Sequence, residues 1–329
     1  MKIAVTGGAG YIGSHVVKQL GELDRHDITI LDNLSTGFES SILYGKFVKM
    51  DLGDYESVNK FFSENSFDAV IHFAAKIVVP ESVAEPIKYY MNNTANTANL
   101  IGAASKNKVK YFIFSSTAAV YGDSQTGVVS ENSPKLPLNP YGYSKLMSEQ
   151  ILTDTAFANK DFRFVILRYF NVAGASIDCS IGQRTPEATH LIKVASETIV
   201  GKRVKMSIFG EDYDTPDGTC IRDYIHVEDL ASAHLSALEY LQNGGNSDVF
   251  NCGYGRGFSV KEVIDTMKKV SGVNFTVEKA QRRDGDAAKL ISSNEKILKT
   301  LNWKIKYDNL ELICKTALDW EKKLKEGLA

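Results

Sequence analysis

A tyrosine and a lysine four residues apart are the first groups in this 329-residue chain whose spacing suggests chemistry. Tyr141 and Lys145 follow Pro140, which favours the first turn of a helix, so we expect them to share one helix face. An ammonium close to a phenol favours the phenolate and lowers the tyrosine pKa, which predicts a general base near neutral pH. Thr117 ends the preceding predicted strand, at the sheet edge where α/β proteins bind ligands. These three residues are the candidate catalytic group.

A glycine-rich turn close to the N-terminus predicts a site for a dinucleotide. Gly7, Gly10 and Gly13 form GxxGxxG between an apolar strand and a helical pattern, which is the context that this motif requires. The glycines permit a tight turn and a close approach of the backbone to a pyrophosphate, which the helix N-terminus also attracts. Asp32 ends the next predicted strand, where a carboxylate binds ribose hydroxyls and repels a 2′-phosphate. Since residues 33–37 contain no Arg or Lys, NAD is predicted rather than NADP.

Later strand ends supply the other predicted cofactor contacts. Asp51 and Leu52 follow the third predicted strand, where they would hold the adenine amino group. Residues 73–75 follow the fourth strand and would line the ribose and the nicotinamide. Besides the catalytic Tyr141 and Lys145, the cofactor-binding residues predicted on these loops are Gly7, Gly10, Tyr11, Ile12, Gly13, Asp32, Asn33, Ser35, Thr36, Gly37, Asp51, Leu52, Phe73, Ala74 and Ala75.

Short apolar runs alternate with longer helical patterns through the first half of the chain, which predicts an α/β fold with a doubly wound parallel sheet. Strands are predicted at 2–6, 28–31, 47–50, 69–72, 111–115 and 164–168, and helices at 11–20, 57–64, 86–105 and 141–158. After Asn171 the pattern predicts a loop at 172–186, a helix at 187–200, a loop at 209–219, a helix at 227–241 and a strand at 248–251. We therefore predict a cofactor-binding domain over 1–170, to which 223–252 returns, and a smaller α/β substrate-binding domain formed mainly by 171–329.

The composition argues against several functions. A net charge of −2 offers no basic surplus for nucleic acid or for an anionic membrane, and no apolar run approaches the roughly 20 residues of a membrane-spanning helix. The four cysteines lie far apart without a CxxC pair, which argues against a zinc site. They indicate free thiols in a reducing cytoplasm, a disulfide being the rarer alternative there. The prediction is therefore a cytoplasmic protein without a metal, a nucleic-acid partner or a membrane partner.

Six motifs resemble the extended short-chain dehydrogenase/reductase superfamily and, within it, the UDP-galactose 4-epimerases. They are GGAGYIGSH near the start, SSxxxVYG ending at Gly122, PYGxSK ending at Lys145, LRYFNxxG ending at Gly174, RDYIHVxDL from Arg222 and RRxGD at 282–286. The first three occur across the superfamily, whereas the last three in this order are typical of UDP-sugar epimerases. The motifs span residues 7–286, so the resemblance covers nearly the whole chain and implies a Rossmann domain that binds NAD.

The resemblance implies that the chain interconverts UDP-glucose and UDP-galactose by oxidation at C4, a 4-keto intermediate and hydride return to the opposite face. It assigns the base to Tyr141, the nicotinamide ribose contact to Lys145 and the sugar O4 contact to Thr117. Lys76, Asn92 and Phe170 fall at cofactor positions. The implied UDP-sugar positions are Lys76, Thr117, Asn171, His190, Leu191, Phe209, Arg222, Arg283, Asp286 and Leu290. The two arginines suit a pyrophosphate, because guanidinium pairs with phosphate in a bidentate way. A UDP-hexose substrate and a homodimer are expected.

Other activities fit parts of the same pattern. A sugar-nucleotide 4,6-dehydratase of this superfamily usually carries an Asp–Glu pair just after the catalytic Ser/Thr, where this chain has Ala118 and Ala119. A UDP-glucuronate 4-epimerase or another nucleotide-sugar enzyme of the superfamily stays open, because only the pocket around C6 separates it. A non-catalytic NAD-binding regulatory protein would be expected to lack Tyr141 or Lys145, and both are present. Leu290 stands where members with a restrictive pocket carry a bulky tyrosine, so UDP-N-acetylglucosamine and UDP-N-acetylgalactosamine are expected as additional substrates.

Overall fold

The computed structural model describes residues 1–124, 126–283 and 286–328. The strands are β1 (Lys2–Thr6), β2 (Asp27–Asp32), β3 (Lys46–Lys49), β4 (Ala69–His72), β5 (Tyr111–Thr117), β6 (Val128–Val129), β7 (Arg163–Tyr169), β8 (Asn171–Ala173), β9 (Met206–Phe209), β10 (Ile221–Arg222), β11 (Tyr224–His226), β12 (Asp248–Cys252), β13 (Phe258–Ser259), β14 (Val277–Ala280) and β15 (Lys289–Ser292). The α-helices are α1 (Tyr11–Glu22), α2 (Tyr55–Glu64), α3 (Val79–Ala84), α4 (Pro86–Tyr89), α5 (Asn96–Lys106), α6 (Pro140–Ala158), α7 (Leu191–Ile199), α8 (Val227–Gln242), α9 (Val260–Ser271), α10 (Glu295–Thr300) and α11 (Leu310–Lys325).

A seven-stranded parallel sheet in the order β12-β7-β5-β4-β1-β2-β3 organises the molecule. Its strands are rich in Val, Ile and Phe, and β4 is buried along its whole length, as expected for a sheet covered on both faces. Helices α1 and α8 pack on one face, and α2, α5 and α6 pack on the other. Each fully buried aliphatic or aromatic side chain in these layers contributes about 1.5–3 kcal/mol. The predicted α/β class with a doubly wound parallel sheet is therefore confirmed.

The second half of the chain forms smaller sheets beside the large one. A four-stranded sheet has the order β13-β10-β15-β6, and β11 pairs with β8 and β14 with β9. Strand β12 lies at the edge of the large sheet, beside β7. One continuous buried cluster includes both Ile3, from the first predicted domain, and Trp303, from the second. The division into two domains near residue 170 therefore stays a prediction. Within the residues that the structure describes, none of the helices combines the length and apolarity that a bilayer crossing needs.

Two helices differ from the sequence prediction. The predicted helix at 86–105 is divided into α4, a π-helical stretch over Tyr90–Ala95, and α5. The predicted helix at 187–200 begins only at Leu191. Glu187 has φ 50°, a left-handed conformation that cannot continue into a right-handed helix, so the first helical turn is displaced toward the C-terminus. The predicted loop at 172–186 also contains the end of β8.

Candidate active site

Helix α6 presents the candidate base and its lysine. The side chain of Asn139 caps the helix by accepting the Gly142 backbone N–H at 2.9 Å, and Pro140 occupies the first turn. Tyr141 and Lys145 are only 8% and 3% exposed. The Lys145 ammonium lies 4.5 Å from the centroid of the Phe114 ring, a cation–π contact that partly replaces lost water. The cap therefore fixes where the helix starts and with it the depth of both side chains.

Burial changes the proton affinities of this pair in a way that the sequence did not suggest. Desolvation raises the pKa of Tyr141, while the Thr117 hydroxyl acts in the opposite direction. Desolvation also lowers the pKa of Lys145 to about 7, against the carboxylate of Glu149. Desolvation of the phenol outweighs any effect of the neighbouring ammonium, so the pKa of Tyr141 is raised where the sequence predicted a lowered one. Additional positive charge is needed before Tyr141 can serve as a base at neutral pH.

The glycine loop leaves no room for side chains. Gly7 has φ 72°, and a Cβ added there would lie 2.5 Å from the backbone nitrogen of Ala74. A Cβ on Gly13 would lie 2.3 Å from the carbonyl oxygen of Gly7. The two Asp32 carboxylate oxygens accept the backbone N–H groups of Ala9 and Leu34, at 3.0 and 2.8 Å. This compact backbone cradle at the start of α1 and the carboxylate beside it fit the pyrophosphate and ribose of a dinucleotide.

The other predicted cofactor residues lie at the same edge of the sheet. Thr6, the last residue of β1, pairs with Leu31 of β2 and with His72 of β4, so the loops that follow these strands are neighbours. Asp51 accepts a hydrogen bond from the Asn33 amide at 3.0 Å, which joins the loops after β2 and β3. The remaining residues predicted on these loops are Gly10, Tyr11, Ile12, Ser35, Thr36, Gly37, Leu52, Phe73, Ala74 and Ala75. The structure therefore brings the predicted cofactor residues of four strand ends together.

Asn93 is a buried residue of this edge that the sequence reasoning missed. Its side chain accepts the Lys76 backbone N–H at 2.8 Å and the Asn92 amide at 2.9 Å, and donates to the Ser144 hydroxyl at 3.1 Å. It thus connects the loop after β4 to helix α6. Asn93 lies in the π-helical stretch, and such stretches often occur at functional sites. An asparagine inside an otherwise helical pattern is therefore the sequence signal that could have revealed it.

The residues predicted to grip the nucleotide form a second group. Arg222 pairs in register with Leu290, and its guanidinium lies 3.6 Å from the Asp286 carboxylate. The Arg283 guanidinium lies 3.6 Å from the centroid of the Phe209 ring. The Asp286 backbone N–H donates to the Arg283 carbonyl at 3.4 Å, so the two arginines belong to one surface. Residues 284 and 285 of the RRxGD motif lie outside the described residues.

A small pocket lies between β8, α7 and α11. Asn171, His190 and Leu191 line it together with Gln183 and Trp320. The Gln183 amide lies 3.0 Å from His190 Nδ1, and burial lowers the pKa of His190, so its ring is neutral at pH 7. Phe170 is buried in a small cluster against which Leu290 packs. The Asn171 backbone N–H donates to the Asp223 carbonyl at 3.0 Å, which places Arg222 beside the end of β7.

The acid–base pair of a dehydratase is absent at the two positions after Thr117. Thr117 is followed by a 3₁₀ turn over Ala118–Val120, with two alanines at the positions in question. Among the residues that the structure describes, no cluster of His, Cys, Asp or Glu could hold a metal ion. An Asp–Glu pair of the dehydratase kind is therefore not present after Thr117.

The fold and the site together define an enzyme class that binds a dinucleotide on a Rossmann sheet and carries its base on helix α6, namely the short-chain dehydrogenases/reductases. The chain belongs to the NAD dependent epimerase/dehydratase family, whose family model matches residues 3–253.

Three similar proteins narrow the comparison. A "UDP-glucose 4-epimerase" of Azospirillum brasilense is 49% identical over 99% of this chain and 94% of its own length. The solved UDP-Glc/GlcNAc 4-epimerase of Campylobacter jejuni is 58% identical, with a TM-score of 0.86 over 98% of this chain and 99% of that one. The UDP-glucose 4-epimerase of Brucella ovis, solved in complex with NAD, is 40% identical, with a TM-score of 0.92 over 97% of both chains.

Proposed function

We propose that this enzyme reversibly interconverts UDP-glucose and UDP-galactose with NAD as its resident cofactor. The observation that carries the proposal is the convergence of a buried Tyr141, Thr117 and the dinucleotide cradle at one sheet edge, together with a separate surface that carries two arginines. Full-length similarity to proteins with the same activity supports it. When bound, NAD would be held by the glycine loop and Asp32 and would supply reversible hydride transfer at C4 of the sugar.

The residues of the chain move and hold the proton. Tyr141 removes the O4 proton as the alcohol is oxidised and returns it when the ketone is reduced. Thr117, close enough to lower the pKa of Tyr141, orients the sugar O4. Lys145 binds the nicotinamide ribose, and its ammonium adds the positive charge that burial of the phenol requires. In the same way the cationic nicotinamide ring would favour the phenolate.

The nucleotide must be held firmly while the hexose turns over within the site. Arg222 and Arg283 flank the same surface, and each guanidinium is the donor that best matches a pyrophosphate oxygen pair. Asp286, 3.6 Å from Arg222, orients that guanidinium. Binding energy concentrated on UDP leaves the sugar free to present either face.

The test is direct: the purified protein is offered UDP-galactose and UDP-glucuronate in turn, and the nucleotide released on denaturation is identified. Turnover of UDP-galactose with bound NAD is expected. Turnover of UDP-glucuronate alone would replace this proposal with the uronate epimerase. Bound NAD without turnover of either sugar would favour the regulatory protein.

We also propose that N-acetylated UDP-sugars are substrates. Leu290 packs against the small buried cluster that contains Phe170 and lacks the ring and hydroxyl of a tyrosine, so more room is expected beside C2. A 58% identical solved relative is a UDP-Glc/GlcNAc 4-epimerase. The experiment compares kcat/KM for acetylated and plain sugars in the wild type and in Leu290→Tyr. An unchanged ratio in the variant would remove Leu290 as the cause, and no acetylated turnover in the wild type would refute the proposal.

We also propose that the protein is a homodimer in the cytoplasm. Helix α6 packs against α4 and the π-helical stretch, and these elements expose Ile87, Met91, Tyr143 and Met147, which are 71, 54, 42 and 44% accessible. A contiguous apolar surface of this kind is typical of a subunit interface. The cysteines are all free, as expected for reducing surroundings. A monomeric mass by light scattering would exclude the dimer.

A further inference from the structure

A row of polar side chains crosses the large sheet one residue before its ligand-binding edge. Ser116 of β5 pairs in register with Arg168 of β7, and Arg168 pairs with Asn251 of β12. Residues in one such row point to the same face of a sheet. Glu149 of α6 lies over this row, on the helix face that also carries Tyr141 and Lys145, since the three are spaced by four residues.

Hydrogen bonds connect the row into one network. The Ser116 hydroxyl donates to Glu149 Oε1 at 2.5 Å, and Arg168 donates to both carboxylate oxygens, at 2.9 and 2.5 Å. Arg168 also donates to the Tyr121 hydroxyl at 2.9 Å, which in turn donates to the Asn251 side chain at 2.6 Å. Glu149 and Arg168 are only 4% and 3% exposed. The carboxylate is therefore fixed in one position by three donors.

Stability alone does not explain this buried pair. The desolvation of two charges roughly cancels their attraction, so well-packed apolar side chains of similar volume stabilise a protein equally well or better. The location of the pair suggests another role. Ser116 immediately precedes Thr117, and Glu149 shares its helix face with Tyr141, so the network connects the two elements that must keep the substrate oxygen and the base together.

We propose that Glu149 is a positioning residue, which holds Thr117 and Tyr141 at a fixed separation through Ser116 and Arg168 and keeps Lys145 cationic through its negative charge. The proposal rests on the proposed function, because it concerns the same proton transfer.

The charges around Lys145 support the electrostatic part. Burial lowers the pKa of Lys145 to about 7, and the Glu149 carboxylate opposes that effect. Without NAD, the other ionisable neighbours add no negative charge: burial raises the pKa of Tyr141, and His72 of β4 is neutral because burial lowers its pKa to about 3. From β5, the ring of Phe114 contributes only its π-face. Loss of the Glu149 charge would therefore release the Lys145 proton at a lower pH.

The first variant is Glu149→Gln, which keeps the size of the side chain and an acceptor for Ser116 but removes the charge. The basic limb of the kcat–pH profile should move to lower pH by about one unit, so kcat above the limb should fall by up to about tenfold. UDP affinity and the NAD content should not change. Ser116→Ala keeps the charge and removes one positional bond, so its kcat should fall while the basic limb stays in place.

Two further variants separate positioning from folding. The double variant Glu149→Met with Arg168→Met leaves no unpaired charge, so it should fold. Its kcat should nevertheless be low, and the basic limb of its kcat–pH profile should stay at the lower pH. Asp248→Asn is the matched control, because Asp248 of β12 lies in the same sheet and its 2.5 Å ion pair with Lys296 of α10 would be broken, yet kcat and the basic limb should not change.

Three outcomes decide the question. A double variant with the kcat and pH profile of the wild type would overturn the proposal, as would an equal shift in Asp248→Asn. An unchanged kcat in Ser116→Ala would overturn its positional part. An inactive wild type would instead refute the proposed function, so the two failures are distinguishable.

Discussion

Gly13→Ala tests whether close backbone packing forms the cofactor cradle. A Cβ at this position would lie 2.3 Å from the Gly7 carbonyl oxygen and 2.8 Å from the Gly8 Cα, where ordinary contact begins near 3.4 Å. Both atoms belong to the backbone and cannot rotate away, so α1 would have to retreat from the loop by about 1.1 Å. Overpacking of this kind typically lowers the free energy of unfolding by about 1–3 kcal/mol. A displacement on the order of 1 Å can also reduce catalysis by about 10²-fold.

Gly102→Ala is the matched control. A Cβ on Gly102 in α5 would have no neighbour within 4 Å, and alanine favours a helix over glycine by about 1 kcal/mol, so this variant should be slightly more stable. The assay measures bound NAD per chain, kcat, and urea unfolding at one fixed NAD concentration, because bound ligand itself adds stability. Gly13→Ala should lose NAD and activity together. Equal NAD content and equal unfolding free energies in the two variants would refute the reasoning.

Four other predictions concern the cofactor, the base and the nucleotide clamp. The protein should carry NAD or NADH through purification, and an empty site with activity strictly dependent on NADP would contradict the role of Asp32. Tyr141→Phe should lower kcat by about 10²–10⁴-fold while UDP still binds, and activity within a fewfold of wild type would show that the base lies elsewhere. Arg222→Ala and Arg283→Ala should each weaken UDP binding more than they slow the hydride step, and unchanged UDP affinity in both by calorimetry would exclude the clamp. Lys145→Met should stabilise the NAD-free protein against urea, most of all below pH 7. Below pH 7 both the unfolded and the folded chain hold the lysine proton, and the folded chain must bury the charge, so removing the lysine stabilises the fold. This stabilisation disappears toward pH 10, where the lysine loses its proton in the unfolded chain as well. A gain that grows with pH would contradict this sign.

The sequence predicted the strand–loop–helix elements of the NAD-binding edge, because these elements are built from consecutive residues. Gly7, Gly10 and Gly13 are separated by fixed spacings, and the strand before them and the helix after them are visible in the hydrophobic pattern. The acid at the end of β2 follows at the expected distance. Parallel strands place all such loops at one edge, so the neighbourhood of Asn33 and Asp51 followed from the fold class alone.

The sequence was less informative where residues distant in the chain interact. Asn93, Glu149 and Arg168 belong to no catalytic spacing, and their importance depends on Ser144, Ser116 and the register of β5 with β7. Helix α7 also begins later than predicted, because the residue type of Glu187 does not reveal its left-handed backbone conformation.

By itself the sequence determined which chemistry the chain can perform, because residue types and short spacings specify the phosphate cradle, the phenol and the lysine. The tertiary structure decided how acidic those groups are. Proton affinity depends on desolvation and on charges from several elements, and burial raises the pKa of Tyr141 and lowers that of Lys145 to about 7, opposite to what their separation of four residues suggests. Only the packing of α6 on β5 and β7 placed Glu149 where its charge opposes the lowering of the Lys145 pKa.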